Sequence, residues 1–129
     1  MQRPIDAGTD ELASQVIDAS LKVHKAMGPG LLESVYEACL AHELKVRNIS
    51  FETHVSLPVI YEDLKLNAGL RLDMLVANRL IVELKSVEKL LPIHESQLIT
   101  YLKLSGMRLG LLINFNVRLL REGIKRIAY

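Results

Sequence analysis

Hydrophobic residues near the start of the chain recur every three or four positions, on one side of a helix: Leu12, Val16, Ala19, Val23 and Met27. This spacing predicts an amphipathic helix over residues 10–27, with Thr9 as its N-cap. The stretch "GPG" at 28–30 predicts the helix end, because glycine tolerates left-handed backbone and proline cannot continue a helix.

A second helical pattern runs from near Leu31 to about Arg47, and its apolar side carries Leu32, Val35, Tyr36, Cys39, Leu40 and Leu44. From Phe51 the pattern changes to the alternation and β-branched runs typical of strands. The segments "FETHVSLPVIY", "KLNAGLRLDMLVA" and "RLIVELKSV" predict three strands, interrupted by Pro58, by "EDLK" and by "AN".

Residues 94–106 return to helical spacing and stop at Gly106. The continuous apolar run "LGLLINF" at 109–115 suits a central strand, and a last strand is predicted near 124–129. The order αα, βββ, α, β with this last strand predicts an α/β (α+β) fold.

Length and composition predict one globular domain over residues 1–129. The chain has 129 residues, half of them apolar and about a quarter charged, which is enough to bury a core. No run approaches the roughly 18 apolar residues of a membrane span, and the N-terminus lacks the apolar segment of a signal peptide. We therefore expect a soluble, cytoplasmic protein that does not bind membranes, and the single Cys39 agrees with a reducing compartment.

Charge is distributed unevenly along the chain. Residues 1–97 carry ten Lys or Arg against fourteen Asp or Glu, whereas residues 98–129 carry six against one. Arg121, Lys125 and Arg126 belong to this basic segment and are candidates for binding the phosphates of a nucleic acid. A solvated face without a ligand explains the same charges.

The strand "RLIVELKSV" contains two opposite charges on one face, because Glu83 and Lys85 are two residues apart. Asp73 lies in the preceding strand. A two-residue loop would pair Asp73 with Leu84, on the wrong face, whereas a three-residue loop over residues 77–79 would pair it with Glu83. Such loops usually place their last residue, here Arg79, in left-handed backbone, so a bulge is the other route to the same odd offset.

With that offset, two carboxylates and one ammonium share a face. Two partly buried carboxylates repel each other unless a cation neutralises them. Carboxylate oxygens are the ligands that Mg²⁺ prefers, so the pattern favours a metal site with Lys85 beside it. An ordinary ion pair on an edge strand is the competing interpretation.

These residues resemble the signature of the PD-(D/E)XK nuclease superfamily. The stretch "GPGLLESVYE" also holds Gly30, Glu33 and Tyr36 in the G-x-x-E-x-x-Y arrangement of the small GxxExxY proteins within that superfamily. "GLRLDMLV", "IVELKSVEKLLPIHESQLITYL" and "GLLINF" follow in the same order. The resemblance implies a restriction-endonuclease-like αβββαβ core, with a mixed β-sheet flanked by helices and preceded by an extra N-terminal helix.

The resemblance also implies roles for individual residues. Asp73, Glu83 and the Leu84 carbonyl match the metal ligands, Lys85 matches the catalytic lysine, and Glu33 matches an acidic residue that assists the metal. Gln97 and Tyr101 match a Q-x-x-x-Y pair, in which Gln97 would contact a metal-bound water or the nucleic acid and Tyr101 would orient a neighbour or touch phosphate. Each has a plainer explanation: Glu33 stabilises its helix dipole, Tyr36 packs in the core, and Gln97 with Tyr101 forms a polar helix edge.

We expect a nuclease that uses Mg²⁺, with Mn²⁺ as a substitute, to hydrolyse the phosphodiester bonds of DNA or RNA by means of a metal-activated water, and DNA is the favoured partner. A non-catalytic nucleic-acid-binding or assembly module on the same fold is the alternative, and a purely structural protein is a third. The short chain offers a short nucleic-acid track, which suggests a homodimer or a partner protein.

Overall fold

The computed structural model describes residues 4–129. It contains helices α1 (Ala7–Met27), α2 (Glu33–Val46) and α3 (Pro92–Ser105). The strands are β1 (Phe51–Tyr61), β2 (Leu64–Val76), β3 (Leu80–Lys85), β4 (Leu109–Asn114) and β5 (Ile124–Ala128), with a 3₁₀ turn at Leu120–Gly123 before β5. The predicted order of elements, including the last strand, is confirmed.

The start of α1 differs from the prediction, because the N-cap is Asp6 and not Thr9. The Asp6 carboxylate accepts hydrogen bonds from the backbone N–H of Thr9 at 2.8 Å and from its hydroxyl at 2.9 Å. Thr9 is therefore the third residue inside the helix and donates to the cap. The end at "GPG" is confirmed, since Gly28 caps α1 with a φ of 68°.

The five strands form one mixed sheet in the order β1-β2-β3-β4-β5. Strands β3 and β4 are parallel and are joined by α3, whereas the other neighbours are antiparallel. All six residues of β4 are buried, which confirms a central strand. Helices α1 and α2 cover one face of the sheet and α3 covers the other, as expected for a restriction-endonuclease-like fold.

The β2–β3 hairpin has the odd offset that the charged residues require. Met74 pairs with Val82 and Val76 pairs with Leu80. Residues 77–79 therefore form a three-residue loop, and Asp73 lies directly opposite Glu83. The left-handed residues of the loop are Ala77 and Asn78, with φ of 50° and 55°, and not Arg79. The odd offset thus arises from the three-residue loop, and Arg79 avoids left-handed backbone because the loop takes that turn at its first two residues, where Asn78 tolerates it.

Strand β2 changes the face that it presents at Asp73. Leu72 packs on the α3 side of the sheet, whereas Met74, two residues later, packs on the α1–α2 side. On the neighbouring strand, His54 has a φ of 54°. Asp73 therefore lies where the regular alternation of side chains breaks, and its carboxylate extends along the sheet toward β3.

Beyond Asp73, β1 and β2 continue as a two-stranded arm that passes the end of β3. The prediction of an interruption at Pro58 was wrong. Strand β1 runs through this proline with only a shift of register between Leu57 and Val59, which an edge strand accommodates because one side needs no ladder donor. Within residues 4–129, no helix has both the length and the apolar character needed to cross a membrane.

Candidate functional site

Asp73 and Glu83 each bind the backbone of the other's strand. A carboxylate oxygen of Glu83 accepts from the N–H of Asp73 at 2.8 Å, and a carboxylate oxygen of Asp73 accepts from the N–H of Leu84 at 2.8 Å. The regular β2–β3 pairing ends at Met74 and Val82, so these side chains replace the next ladder bonds. The second oxygen of each carboxylate has no protein partner among the hydrogen bonds of residues 4–129.

Burial makes Glu83 hard to ionise. The residue is 5% exposed, and desolvation, followed by the negative charge of Asp73, raises the pKa of its carboxyl to about 8. The hydrogen bond from Asp73 and the charge of Lys85 oppose this rise without cancelling it. The metal-free protein therefore keeps a proton on Glu83 at neutral pH.

Glu33, the first residue of α2, belongs to the same electrostatic cluster. Its pKa is raised first by desolvation and then by the charge of Asp73, while Lys85 lowers it. Glu37, one helical turn later, raises it further and is paired with the imidazole of His54 at 2.8 Å. His54 thus connects the point where β1 breaks its regular conformation to the helix that carries Glu33, a role that the sequence interpretation did not anticipate.

Tyr36 holds the turn that precedes Glu33. Its hydroxyl donates to the carbonyl of Gly28 at 2.6 Å and accepts from the N–H of Leu31 at 3.1 Å. Its ring is fully buried and stacks on Phe115 with centroids 4.6 Å apart. Tyr36 is a core residue, and it also closes the α1–α2 turn from inside.

Side chains at the ends of β3 and β4 attach the same turn to the sheet. The Ser86 hydroxyl donates to the carbonyl of Leu31 at 2.6 Å, and the N–H of Gly30 donates to the Asn116 side chain at 3.1 Å. The buried Asn114 amide donates to the carbonyl of Val87 at 2.9 Å and accepts from its N–H at 3.1 Å. One hydrogen-bonded network therefore joins the backbone segments that carry Lys85 and Glu33.

Sequence interpretation missed Ser86, Asn114 and Asn116. Asn114 and Asn116 stand at the end of an apolar run, and this position was the available signal of their role. A side-chain amide that is buried there needs hydrogen-bond partners. Their partners are backbone groups of distant segments, which residue types do not reveal.

Helix α3 brings Tyr101 to the cluster but leaves Gln97 outside. Tyr101 is 5% exposed, and desolvation followed by the charges of Glu83 and Asp73 raises its pKa. Gln97 lies one turn earlier and is exposed. Within the described residues its side chain has no hydrogen-bond partner, so it is available to a ligand.

The three candidate phosphate-binding residues do not form one surface. Lys125 pairs with Glu95 of α3 at 3.2 Å, whereas Arg126 pairs with Asp10 of α1. These partners lie on opposite faces of β5, as alternation along a strand requires. Arg121 is exposed on the 3₁₀ turn.

The donors at this site suit a hard divalent cation with few protein ligands. Within residues 4–129, no three His, Cys, Asp or Glu side chains are arranged to hold a metal ion, so the site is not a closed cage. Asp73 and Glu83 each have a free oxygen. The Leu84 carbonyl lies on the strand edge from which its N–H reaches Asp73. Mg²⁺ commonly binds through one or two carboxylates and keeps several waters, so these residues fit it.

A mixed sheet between helices, with Asp73, Glu83 and Lys85 close together on two adjacent strands, is the arrangement of a nuclease-type domain. Residues 10–127 match the family model of the PD-(D/E)XK nuclease superfamily. The chain belongs to this superfamily. Comparison with curated proteins and with solved structures found no match.

Proposed function

We propose that this protein is a metal-dependent nuclease that hydrolyses the phosphodiester bonds of DNA or RNA, with DNA as the favoured substrate. The observation that carries the proposal is the reciprocal bonding of Asp73 and Glu83 beside Lys85, in a chain of the nuclease superfamily. This arrangement buries the carboxyl of Glu83 beside Asp73, at a cost in free energy that appears as the raised pKa of Glu83, and a metal-binding function explains that cost.

Asp73, Glu83 and the Leu84 carbonyl would hold the ion, and Glu33 would bind it or its waters. Mg²⁺, or Mn²⁺ in its place, would neutralise the carboxylates and stabilise the charge that develops on the phosphate. The raised pKa of Glu83 implies that this carboxyl loses its proton when the ion binds.

The remaining side chains would act on the substrate and the attacking water. Hydrolysis forms a bond between phosphorus and the water oxygen and breaks one bridging P–O bond, while the water loses a proton and the leaving oxygen gains one. Lys85 would orient the water and offset phosphate charge. Tyr101 would orient its neighbours, and exposed Gln97 would contact the nucleic acid.

Cleavage of labelled single-stranded and double-stranded DNA and RNA in Mg²⁺ tests this function. We expect cleavage by the wild type and its loss in Asp73→Ala, while Glu52→Gln, an exposed carboxylate on β1, leaves cleavage unchanged. Nucleic-acid binding without cleavage in either Mg²⁺ or Mn²⁺ would instead support the non-catalytic binding module.

Four narrower statements remain predictions from the sequence. They are membership of the GxxExxY family, a cytoplasmic location, binding of phosphate by Arg121, Lys125 and Arg126, and a homodimer or partner protein that lengthens the nucleic-acid track.

A further inference from the structure

His54 lies inside strand β1 and has a left-handed backbone. Its φ is 54°, and a residue with a Cβ keeps this unfavourable conformation only where the surrounding structure enforces it. Among residues 4–129, the other non-glycine residues with a positive φ lie in turns: Asn48, Glu62, Ala77 and Asn78. The conformation of His54 therefore needs a cause other than a turn of the chain.

The irregularity in β1 lies opposite the irregularity in β2. The regular pairs on either side are Thr53 with Met74 and Val55 with Leu72. His54 therefore faces Asp73 across the ladder. Phe51 packs on the α1–α2 side of the sheet, whereas Val55, four residues later, packs on the α3 side. Both strands thus change the face that they present, and they do so where His54 and Asp73 meet.

The imidazole of His54 attaches this part of β1 to helix α2. Its Nε2 lies 2.8 Å from Oε1 of Glu37, whose side chain is only 18% exposed. Glu37 and Glu33 are four residues apart and share one face of α2. The N-cap of α2 is Leu32, which makes no side-chain hydrogen bond to the helix, so the position of the first turn depends on contacts with other elements. The contact from His54 is one of them.

We propose that His54 is a positioning residue for the candidate metal site, and that it acts through Asp73 and through Glu33. Its left-handed backbone belongs to the irregular pair at which the Asp73 carboxylate turns toward β3 and accepts from the N–H of Leu84. Its imidazole holds Glu37 and thereby the first turns of α2. This inference rests on the proposed nuclease function and deepens it, because the partners of metal ligands govern the affinity for the ion.

Hydrogen exchange of the Leu84 amide in EDTA tests the link to Asp73 without any metal. A β-branched side chain disfavours left-handed backbone, so His54→Val should favour a regular pair that turns Asp73 away from Leu84. The amide should then exchange at least about tenfold faster, as expected for one lost hydrogen bond to a charged group. His54→Asn should exchange like the wild type, because asparagine tolerates left-handed backbone. The Phe115 amide, which donates to the Lys85 carbonyl at 2.9 Å, reports any general loss of stability.

Calorimetric titration with Mg²⁺ tests the link to Glu33. Asparagine is too short to reach Glu37, so His54→Asn should bind Mg²⁺ about tenfold more weakly than the wild type. In a Glu33→Gln background the same substitution should change the affinity much less, because its effect passes through Glu33. Lys22→Gln is the matched control and should bind Mg²⁺ like the wild type. Lys22 pairs with another largely buried carboxylate of α2, that of Glu43, near the opposite end of the helix from Glu33.

Wild-type exchange at Leu84 in His54→Val would overturn the inference, as would equal acceleration of the Leu84 and Phe115 amides. Wild-type affinity for Mg²⁺ in His54→Asn, an equal loss in Lys22→Gln, or an undiminished effect in the Glu33→Gln background would also overturn it. A wild-type protein that neither binds Mg²⁺ nor cleaves nucleic acid would refute the proposed function separately. The exchange of the Leu84 amide, which needs no metal, would still decide the inference.

Discussion

Asp73 and Glu83 exchange hydrogen bonds across the β2–β3 hairpin, each carboxylate accepting from a backbone N–H on the opposite strand. The pair thus closes the last part of the hairpin that the ladder leaves open. The same two side chains repel each other when both are ionised. The hairpin and the candidate metal site therefore depend on the same atoms, and substitutions can separate the two roles.

Glu83→Gln should abolish cleavage and leave the metal-free protein as stable as the wild type at neutral pH. The introduced amide keeps an oxygen that can accept from the N–H of Asp73, and it resembles the protonated carboxyl that a pKa of about 8 implies. Thermal melting at neutral pH and a cleavage assay measure the two effects. A melting temperature well below that of the wild type would show that Glu83 is needed to pair with Lys85.

The metal-free wild type should lose stability as the pH rises from about 5 to about 9. Folded and unfolded chains are both protonated at Glu83 below pH 4.5, the ordinary pKa of a glutamate, whereas between 4.5 and about 8 only the folded chain keeps the proton. Ionisation above about 8 completes the loss, which is on the order of 4 kcal/mol. Urea unfolding in EDTA across this range measures it, and Glu83→Gln should show a clearly smaller dependence on pH.

Mg²⁺ should stabilise the wild type by mass action, because the ion binds the folded site. At a concentration of about 100 times the Kd, the melting temperature should rise by roughly 5–10 °C. The shift should be nearly absent in Glu83→Gln. Equal shifts in the two proteins would place the bound Mg²⁺ elsewhere on the molecule.

Tyr36→Phe should lower stability by about 1–2 kcal/mol and reduce cleavage at saturating substrate. The variant keeps the stacking on Phe115 but leaves the Gly28 carbonyl and the Leu31 N–H without their partner, which loosens the turn before Glu33. Tyr61→Phe, at a residue 66% exposed, is the control and should be neutral. Unchanged cleavage by a destabilised Tyr36→Phe would show that the turn does not position Glu33.

Arg121→Gln should flatten the salt dependence of nucleic-acid binding by roughly one unit of log-log slope, as expected for one lost phosphate contact. Arg121 is exposed and has no ion pair within residues 4–129. Lys125→Gln should change the slope less, because Lys125 already pairs with Glu95. An unchanged slope for Arg121→Gln would assign this residue to ordinary solvated surface.

The order of elements and the Asp73–Glu83 register could be predicted because both depend on local rules. Helical spacing and strand alternation are visible along the chain, and the odd offset followed from requiring Asp73, Glu83 and Lys85 to share a face. The cap at Asp6 was missed because Asp6 and Thr9 are both good capping residues, and only the geometry of their mutual hydrogen bonds decides between them.

The ion pairs of the basic segment could not be predicted from charge alone. Arg126 pairs with Asp10, which lies at the other end of the chain, and Lys125 pairs with Glu95 of helix α3, which covers one face of the sheet. Such ion pairs depend on how elements that are distant in the sequence pack together, and a count of basic residues does not predict that packing. The same reason hid Ser86 and Asn116, whose partners are backbone atoms of the α1–α2 turn.

The hydrogen bonds that attach the α1–α2 turn to the sheet also set an order of events during synthesis. Gly30 emerges from the ribosome long before Asn116, its partner, and Val87 emerges before Asn114. A nascent chain that ends before these asparagines can form the first helices but cannot fix Glu33 and Lys85 in place. The hydrogen bonds that join the segments carrying Glu33 and Lys85 can therefore be completed only after strand β4 and the following Asn116 have been translated.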